Sequence, residues 1–192
     1  MNEPESFDEV KLITVHKYLT PDGGPLAFRL PLDVYETYQR YVRSSDWWTP
    51  DQEHMVGFYL NQKHNLVAFK LLTLGLVNAT LLAPLEVFRP AFILNCMCII
   101  LCHNHPSGDP TPSSEDIRLT RQLVTAEKIV NINIMDHVVV VNQATSPRPY
   151  LSIREAGLCE FEGCATGHDM ITENMLNPLL DAVTKKGNLY GS

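Results

Sequence analysis

The sequence predicts an α/β fold in which a mixed β-sheet is flanked by helices. Residues 96–102 form an uninterrupted apolar run, which is typical of a buried strand. Residues 117–130 carry apolar side chains at helical spacing, after a stretch rich in capping residues. Residues 55–60 and 66–72 read as a hairpin around a polar loop. Because strand-like and helix-like segments alternate, we expect helices packed on a sheet that also contains antiparallel strands.

The remaining segments extend this pattern at both ends. Apolar and polar residues alternate along residues 9–19, which predicts a strand, and residues 76–82 are predicted to form another strand. Residues 30–42 place Leu30, Val34, Tyr38 and Tyr41 at helical spacing, which predicts an amphipathic helix.

Two segments leave alternatives open. Residues 84–95 have helical spacing, but Pro90 removes a hydrogen bond, so the helix either kinks there or starts late. Residues 132–135 and 138–141 form either one strand or a pair of strands.

Composition limits the classes of function. The chain has 192 residues, with 15 Lys and Arg against 22 Asp and Glu, and a net charge of −7. An acidic chain argues against a broadly basic surface for nucleic acid, so we expect no strong binding of duplex DNA by the protein alone. No apolar stretch approaches the length of a membrane span, and the acidic N-terminus is unlike a signal peptide. Five cysteines, three of them in one predicted strand, fit a reducing compartment, and we expect a cytoplasmic protein without membrane association.

The most informative feature is a group of polar residues where the apolar strand ends. His103 and His105 follow the strand one residue apart, and alternate residues of an extended chain point to the same side. The proline-rich stretch of residues 106–112 predicts a turn, and Ser113 and Asp116 then lie on the first turn of a helix. Two imidazoles and a carboxylate leave one tetrahedral position open, which is typical of a catalytic zinc site.

Parts of this group also have a structural interpretation. Ser113 is a suitable N-cap for the following helix, and Asp116 is favoured in its first turn by the helix dipole. A capping function and a chemical function are compatible in Ser113. The four residues together favour a metal site over a cap alone.

Residues 103–116, which begin His-Asn-His-Pro-Ser-Gly, resemble the metal motif of JAB/MPN (JAMM) metallopeptidase-like domains. Among these, the chain is most similar to RadC-like proteins. Residues 53–61, 86–89, 136–140 and 152–157 resemble other segments of the same family, so the likeness covers about residues 50–158. The resemblance implies the JAB/MPN fold, which is like that of cytidine deaminases.

The resemblance also implies roles for individual residues. His103, His105 and Asp116 would bind Zn²⁺, and Ser113 would donate a hydrogen bond to the oxyanion of a tetrahedral intermediate. Glu53 would be the general base for the metal-bound water. Glu53 is identified by its place before a strand and not by local spacing, so Glu86, which also lies upstream, is an alternative.

The chain departs from the family pattern in two places. Pro84 is followed by Leu85, where RadC-like chains typically carry arginine. Residues 1–50 lack the Gly-rich helix-hairpin-helix region of full-length RadC proteins, so the chain resembles the short forms. The sequence thus predicts three units: residues 1–50, a strand and a helix packed on the core; residues 51–158, the metal-binding domain; and residues 159–192, an extension.

The extension is predicted to contain an amphipathic helix at residues 170–183, which would pack on the domain or on a second copy, so a homodimer is possible. Cys159, Cys164 and His168 have loosely metal-like spacing, but no fourth ligand accompanies them in the sequence.

Three functions remain open at this stage. The leading hypothesis is a zinc-dependent hydrolase that cleaves an amide or isopeptide bond in a peptide or protein substrate. The first alternative is a DNA-repair-associated accessory protein without peptidase activity. The second is an inactive scaffold that binds protein partners, which the complete set of metal ligands argues against.

Overall fold

The computed structural model describes residues 23–75, 82–141 and 146–161. Several predictions lie outside these residues: the strands at 9–19 and 76–82 (apart from Leu82), the helix at 170–183, and both Cys164 and His168. In the described ranges, no helix combines the length and apolar character that crossing a bilayer requires.

The fold is a five-stranded mixed sheet with helices on both faces, and the predicted fold class is confirmed. The strand order is β2-β1-β3-β4-β5, in which β3 and β4 are parallel and the other neighbouring pairs are antiparallel. The elements are α1 Pro31–Thr37, a π-helical segment Tyr38–Val42, β1 His54–Leu60, β2 Leu66–Leu74, α2 Pro84–Leu94, β3 Cys98–His105, α3 Ser114–Val130, β4 Asn133–Val141 and β5 Tyr150–Ser152.

The sheet separates two hydrophobic cores. On one face, α1 and the π-helical segment contribute Val34, Tyr38 and Val42, which pack with the even-numbered residues of β1 and β3. On the other face, α2 and α3 pack on the odd-numbered residues of the same two strands. Successive side chains of a strand point to opposite faces, so this parity decides which core each residue of β3 joins.

The predicted helix at residues 30–42 forms, but its buried face differs from the prediction. Leu30 is 61% exposed, because it precedes the helix instead of lying within it. The amide of Arg43 donates to the carbonyl of Tyr38, five residues earlier, at 3.1 Å. This π-helical turn adds a residue to the repeat, so Val42 is buried and Tyr41 is only partly buried.

The two open alternatives are resolved. Helix α2 begins at Pro84 and continues through Pro90 to Leu94, so it does not start late. Residues 133–141 form one strand, β4, instead of two, although its pairing with β3 is irregular after Ile99. The central strand β3 has neighbours on both sides and is buried over most of its length, as its apolar run predicts.

Candidate metal centre

His103 and His105 lie in the last three residues of β3, on the face of the sheet that packs against α2 and α3. They follow Ile99 and Leu101 in the alternation, and both of those side chains belong to the core on that face. His103 is fully buried, and the side chain of His105 is 13% exposed. The strand therefore delivers both imidazoles to one point at its carboxyl end.

Asp116 reaches the same point from the first turn of α3. The chain turns after β3, and Ser113 caps the helix by accepting a hydrogen bond from the Asp116 amide at 3.1 Å. The Ser113 amide and hydroxyl donate to Asp116 Oδ2 at 2.8 and 2.7 Å. These reciprocal bonds form a capping box that fixes the buried carboxylate. The capping role predicted for Ser113 is confirmed, and Ser113 is an exposed residue beside the buried Asp116.

The three side chains lie close enough together to hold one metal ion. Nε2 of His103 lies 2.9 Å from Nε2 of His105 and 3.3 Å from Asp116 Oδ1. Nε2 of His105 lies 3.6 Å from Asp116 Oδ2, and the three ligand atoms all lie within 4.8 Å of one another. Ligand atoms around a tetrahedral ion with bonds of about 2.0–2.1 Å are about 3.3 Å apart, so the donor set fits such an ion.

A chain of hydrogen bonds sets the tautomer of His103. The hydroxyl of Thr120 donates to the carbonyl of Asp116 at 2.7 Å, so it accepts from Nδ1 of His137, also at 2.7 Å. Nε2 of His137 is then an acceptor, and Nδ1 of His103 donates to it at 2.8 Å. The lone pair of His103 Nε2 is left facing Asp116.

The same logic applies to His105. Its Nδ1 lies 2.7 Å from the carbonyl oxygen of Asp109, which can only accept, so Nδ1 carries the proton. The lone pair of His105 Nε2 therefore points into the cluster as well. Two nitrogen lone pairs and a carboxylate repel one another, and a cation among them removes the repulsion. This arrangement could hold a metal ion, with the candidate ligands oriented by their outer hydrogen bonds.

The space between the three side chains, which could hold a metal ion, also favours a proton. Burial raises the pKa of Asp116, but a proton on Nε2 of His103 or His105 would hydrogen-bond the carboxylate, and this effect outweighs burial and holds the pKa of Asp116 well below its usual range. Burial alone would lower the pKa of His105, yet its hydrogen bonds with Asp116 and the Asp109 carbonyl raise it overall. Burial lowers the pKa of His137 well below its ordinary value, which agrees with the neutral form that its hydrogen bonds to Thr120 and His103 require.

Glu53 and Glu86 occupy different positions relative to this cluster. Met55 pairs with His103 at the end of the pairing between β1 and β3, and a continuation of this register by two residues would bring Glu53 opposite His105. Glu53 is partly buried, and its charge contributes to raising the pKa of His105. The side chain of Glu86 is 44% exposed on α2, where it forms salt bridges with Lys70 and Arg89. The geometry favours Glu53 as the carboxylate of the site.

Sequence reasoning predicted the three residues of the cluster but not all of their partners. The contact of His137 with His103 supports a role for His137 in orienting a candidate metal ligand. Thr120 was missed, because it lies in the middle of a helix and its role depends on where β4 passes beneath α3. Leu85 is 63% exposed, so the side chain at this departure from the family pattern projects towards solvent.

A cavity of about 950 Å³ lies away from the cluster, against the core that contains α1. It is lined by Phe28, Arg29, Leu30, Pro31, Val34, Lys63, His64, Ile100, Met135, Asp136, Arg154 and Glu155. None of the predicted site residues is among them, so this cavity does not contribute to the metal centre.

Comparison with known families identifies the family to which the chain belongs. The family model described as the RadC-like JAB domain matches residues 28–158, so the chain belongs to the RadC-like JAB domain family. The match includes α1, the metal cluster and β5.

Three relatives carry the name UPF0758 protein. The one from Methanococcoides burtonii is 40% identical over 106 residues, which is 55% of this chain and 44% of the relative. The one from Syntrophomonas wolfei is 44% identical over 110 residues, covering 57% and 46% of the two chains. The one from Caldanaerobacter subterraneus is 39% identical over 144 residues, covering 75% and 58%. The chain thus spans about half the length of the curated relatives it matches.

Proposed function

We propose that this protein is a zinc-dependent hydrolase of the JAMM type, which cleaves an amide or isopeptide bond in a peptide or protein substrate. The observation that carries the proposal is the convergence of His103, His105 and Asp116, with both Nε2 lone pairs directed into the cluster. Two imidazoles and one carboxylate complete three positions of a tetrahedral zinc site and leave the fourth for water or substrate, as in catalytic zinc sites.

The residues fit the chemistry that zinc supplies. Bound Zn²⁺ lowers the pKa of water to about 7 and polarises a carbonyl group, which are the two requirements of amide hydrolysis at neutral pH. The three ligands are nearly or fully buried, so few water molecules compete for the site and electrostatic interactions are strong there.

Glu53 is proposed as the general base. It accepts the proton of the attacking water and then transfers it to the leaving amine, the usual sequence for a carboxylate beside a hydrolytic centre. The register between β1 and β3 supports this role, since its continuation beyond Met55 and His103 would bring Glu53 opposite His105.

Ser113 is proposed to stabilise the negative charge that develops on the carbonyl oxygen. Ser113 is an exposed residue whose hydroxyl donates to Asp116 Oδ2 at 2.7 Å, so this role requires the hydroxyl to rotate towards the substrate. Removal of one such donor typically costs on the order of 10²–10³ in rate.

The test is a hydrolysis screen of purified, zinc-loaded protein against peptides and isopeptide-linked substrates. We expect wild-type protein to cleave at least one class of substrate and chelator-treated protein to cleave none. Glu53→Gln should retain zinc and lose about 10²–10⁴ in rate, because the amide cannot accept the proton. Glu86→Gln is the matched control, and we expect it to keep wild-type activity.

The two glutamate variants also decide between the alternatives. Full activity in Glu53→Gln together with loss of activity in Glu86→Gln would identify Glu86 as the base. Zinc-loaded protein that cleaves neither class of bond would contradict the proposed hydrolase.

A further inference from the structure

We propose that Asn104 is a positioning residue whose carboxamide holds the peptide groups on both sides of Glu53 and so keeps this glutamate opposite His105. The inference rests on the proposed function only in taking Glu53 as the base. Asn104 lies between the two histidines, and its side chain points to the opposite face of the sheet, where it is fully buried.

The first argument is where the backbone pairing ends. Strands β1 and β3 are paired from Leu60 to Met55, and the last pair is Met55 with His103. Beyond this pair, hydrogen bonds from the Asn104 side chain take the place of backbone pairing between the two strands. Its Oδ1 accepts from the amide of His54 at 2.8 Å, and its Nδ2 donates to the carbonyl of Gln52 at 2.9 Å. These two peptide groups flank Glu53 directly.

The second argument is that the backbone carbonyl of this glutamate is also fixed. The carbonyl of Glu53 accepts from the amide of Gly75, at the end of β2, at 2.9 Å. The segment is therefore bonded to β2 on one side and to Asn104 on the other. With its backbone held in this way, Glu53 can place its carboxylate repeatedly at one position, which a catalytic base requires.

The third argument is that the hydrogen bonds of the Asn104 carboxamide fix its orientation, so that its oxygen and nitrogen cannot exchange places. Its Oδ1 also accepts from the hydroxyl of Tyr38 at 2.8 Å and lies 3.2 Å from Nδ1 of His54. Nε2 of His54 accepts from the amide of Thr49 at 3.3 Å, so Nδ1 carries the proton and donates. If the oxygen and nitrogen of the Asn104 carboxamide exchanged places, all of these donors would point at an NH₂ group, which cannot accept a hydrogen bond. Trp48 completes the network by donating from Nε1 to the Tyr38 hydroxyl at 3.2 Å.

Only an amide group meets both requirements at this place. The acceptor for His54 and the donor for Gln52 must lie on one short, planar side chain in a buried position. Aspartate offers the acceptor but no donor, and alanine offers neither. The neighbouring ligands face the other core, so a change at residue 104 separates positioning of the base from metal binding.

The experiment compares Asn104→Ala, Asn104→Asp and the control Tyr38→Phe, which removes a hydrogen bond to Asn104 but none to the chain around Glu53. The first readout is amide hydrogen exchange by NMR. In Asn104→Ala, we expect the His54 amide to exchange at least about tenfold faster relative to Phe58, because it loses its acceptor. In Asn104→Asp and Tyr38→Phe, the acceptor remains, and His54 should stay protected.

The second readout is zinc affinity, which should stay within about threefold of wild type in Asn104→Ala, because the ligands are unchanged. The third is kcat on a substrate found in the hydrolysis screen. We expect it to fall about 10–100-fold in Asn104→Ala with little change in KM, a size typical of residues that orient a site. The Glu53→Gln background should abolish this effect, since no base is left to position. Tyr38→Phe should lower the melting temperature and leave zinc affinity unchanged.

The outcomes separate this inference from the proposed function. Faster exchange at the His54 amide with unchanged zinc affinity supports the positioning role of Asn104, even if no substrate is cleaved. In that case only the hydrolase proposal fails. Unchanged exchange at His54 in Asn104→Ala would overturn the inference. A loss of zinc affinity above about tenfold would also overturn it, because Asn104 would then be acting on the ligands. If Asn104→Ala does not fold, Asn104→Asp decides through kcat, which must fall while His54 stays protected.

Discussion

The two faces of β3 at its carboxyl end differ in how their polar atoms are satisfied. On the face of Asn104, each polar atom of the side chain bonds a neutral partner, and burial raises the pKa of Tyr38 above its usual value. On the face of His103 and His105, two nitrogen lone pairs and the Asp116 carboxylate point at one another. Around Asn104, the buried polar atoms hydrogen-bond one another and stabilise the fold, so we call this side of β3 the scaffold face. Around His103 and His105, the polar atoms that point at one another are all acceptors and could bind a cation, so we call this side the metal face.

The largest effect should come from removing a ligand on the metal face. Apparent free energies of about 10–16 kcal/mol are typical of four-ligand zinc sites, so each ligand contributes about 3 kcal/mol. We expect His103→Ala to weaken zinc binding by roughly a hundredfold or more. Competition titration with a chelator of known affinity measures this. Zinc affinity equal to that of wild type would show that the metal binds elsewhere.

A smaller effect should follow from a change behind the ligands. Thr120→Val keeps the shape of the side chain but removes the hydroxyl that accepts from His137. Without it, His137 is no longer held with Nε2 as the acceptor for His103, and zinc affinity should fall about 10–100-fold. The same titration tests this, with Thr125→Val as the control, because Thr125 is exposed on the same helix and its hydroxyl bonds only the Arg121 carbonyl among the hydrogen bonds described. Equal zinc affinities in the two variants would show that Thr120 does not help to orient His103.

On the scaffold face, the expected effect is on stability and not on metal binding. Tyr38→Phe removes a buried hydroxyl that donates to Asn104 and accepts from Trp48. The free energy of unfolding should fall by about 1–3 kcal/mol, and zinc affinity should not change. Chemical denaturation and the chelator titration measure the two quantities. A matching loss of zinc affinity would show that the two faces are not independent.

The smallest expected signal is binding of DNA. The chain has 22 acidic against 15 basic residues, and the metal face adds the carboxylates of Asp116 and Glu53. Sequence-independent affinity depends on Lys and Arg neutralising phosphates, so we expect Kd no tighter than the range of about 10⁻⁴–10⁻⁶ M at 0.15 M salt. Anisotropy titration with duplex and single-stranded DNA tests this. Sub-micromolar, salt-sensitive binding would favour the repair-accessory alternative.

The metal face could be predicted from sequence because its information is local. His103 and His105 lie on one strand, and Ser113 and Asp116 follow on the next helical turn, so spacing alone brings them near one another. The strand and the helix N-cap follow from this short segment, and the α/β class follows from the alternation of strand-like and helix-like segments along the chain.

The scaffold face could not be predicted because its contacts join distant parts of the chain. Asn104 bonds residues that are 50, 52 and 66 positions away, and these contacts depend on the register of β1 and on the π-helical turn beneath it. The choice between Glu53 and Glu86 depended on that register too. Local spacing fixes neither, since a shift of one residue would reverse the face of every side chain in β1.

A crystal structure of the zinc-loaded protein tests the central claim most directly. We expect one Zn²⁺ per chain, bound by Nε2 of His103, Nε2 of His105 and a carboxylate oxygen of Asp116 at about 2.0–2.2 Å, with the fourth position open to solvent. Both Nδ1 atoms should keep their present partners, His137 and the Asp109 carbonyl. Zinc bound at another place, or ligation through either Nδ1, would contradict the account.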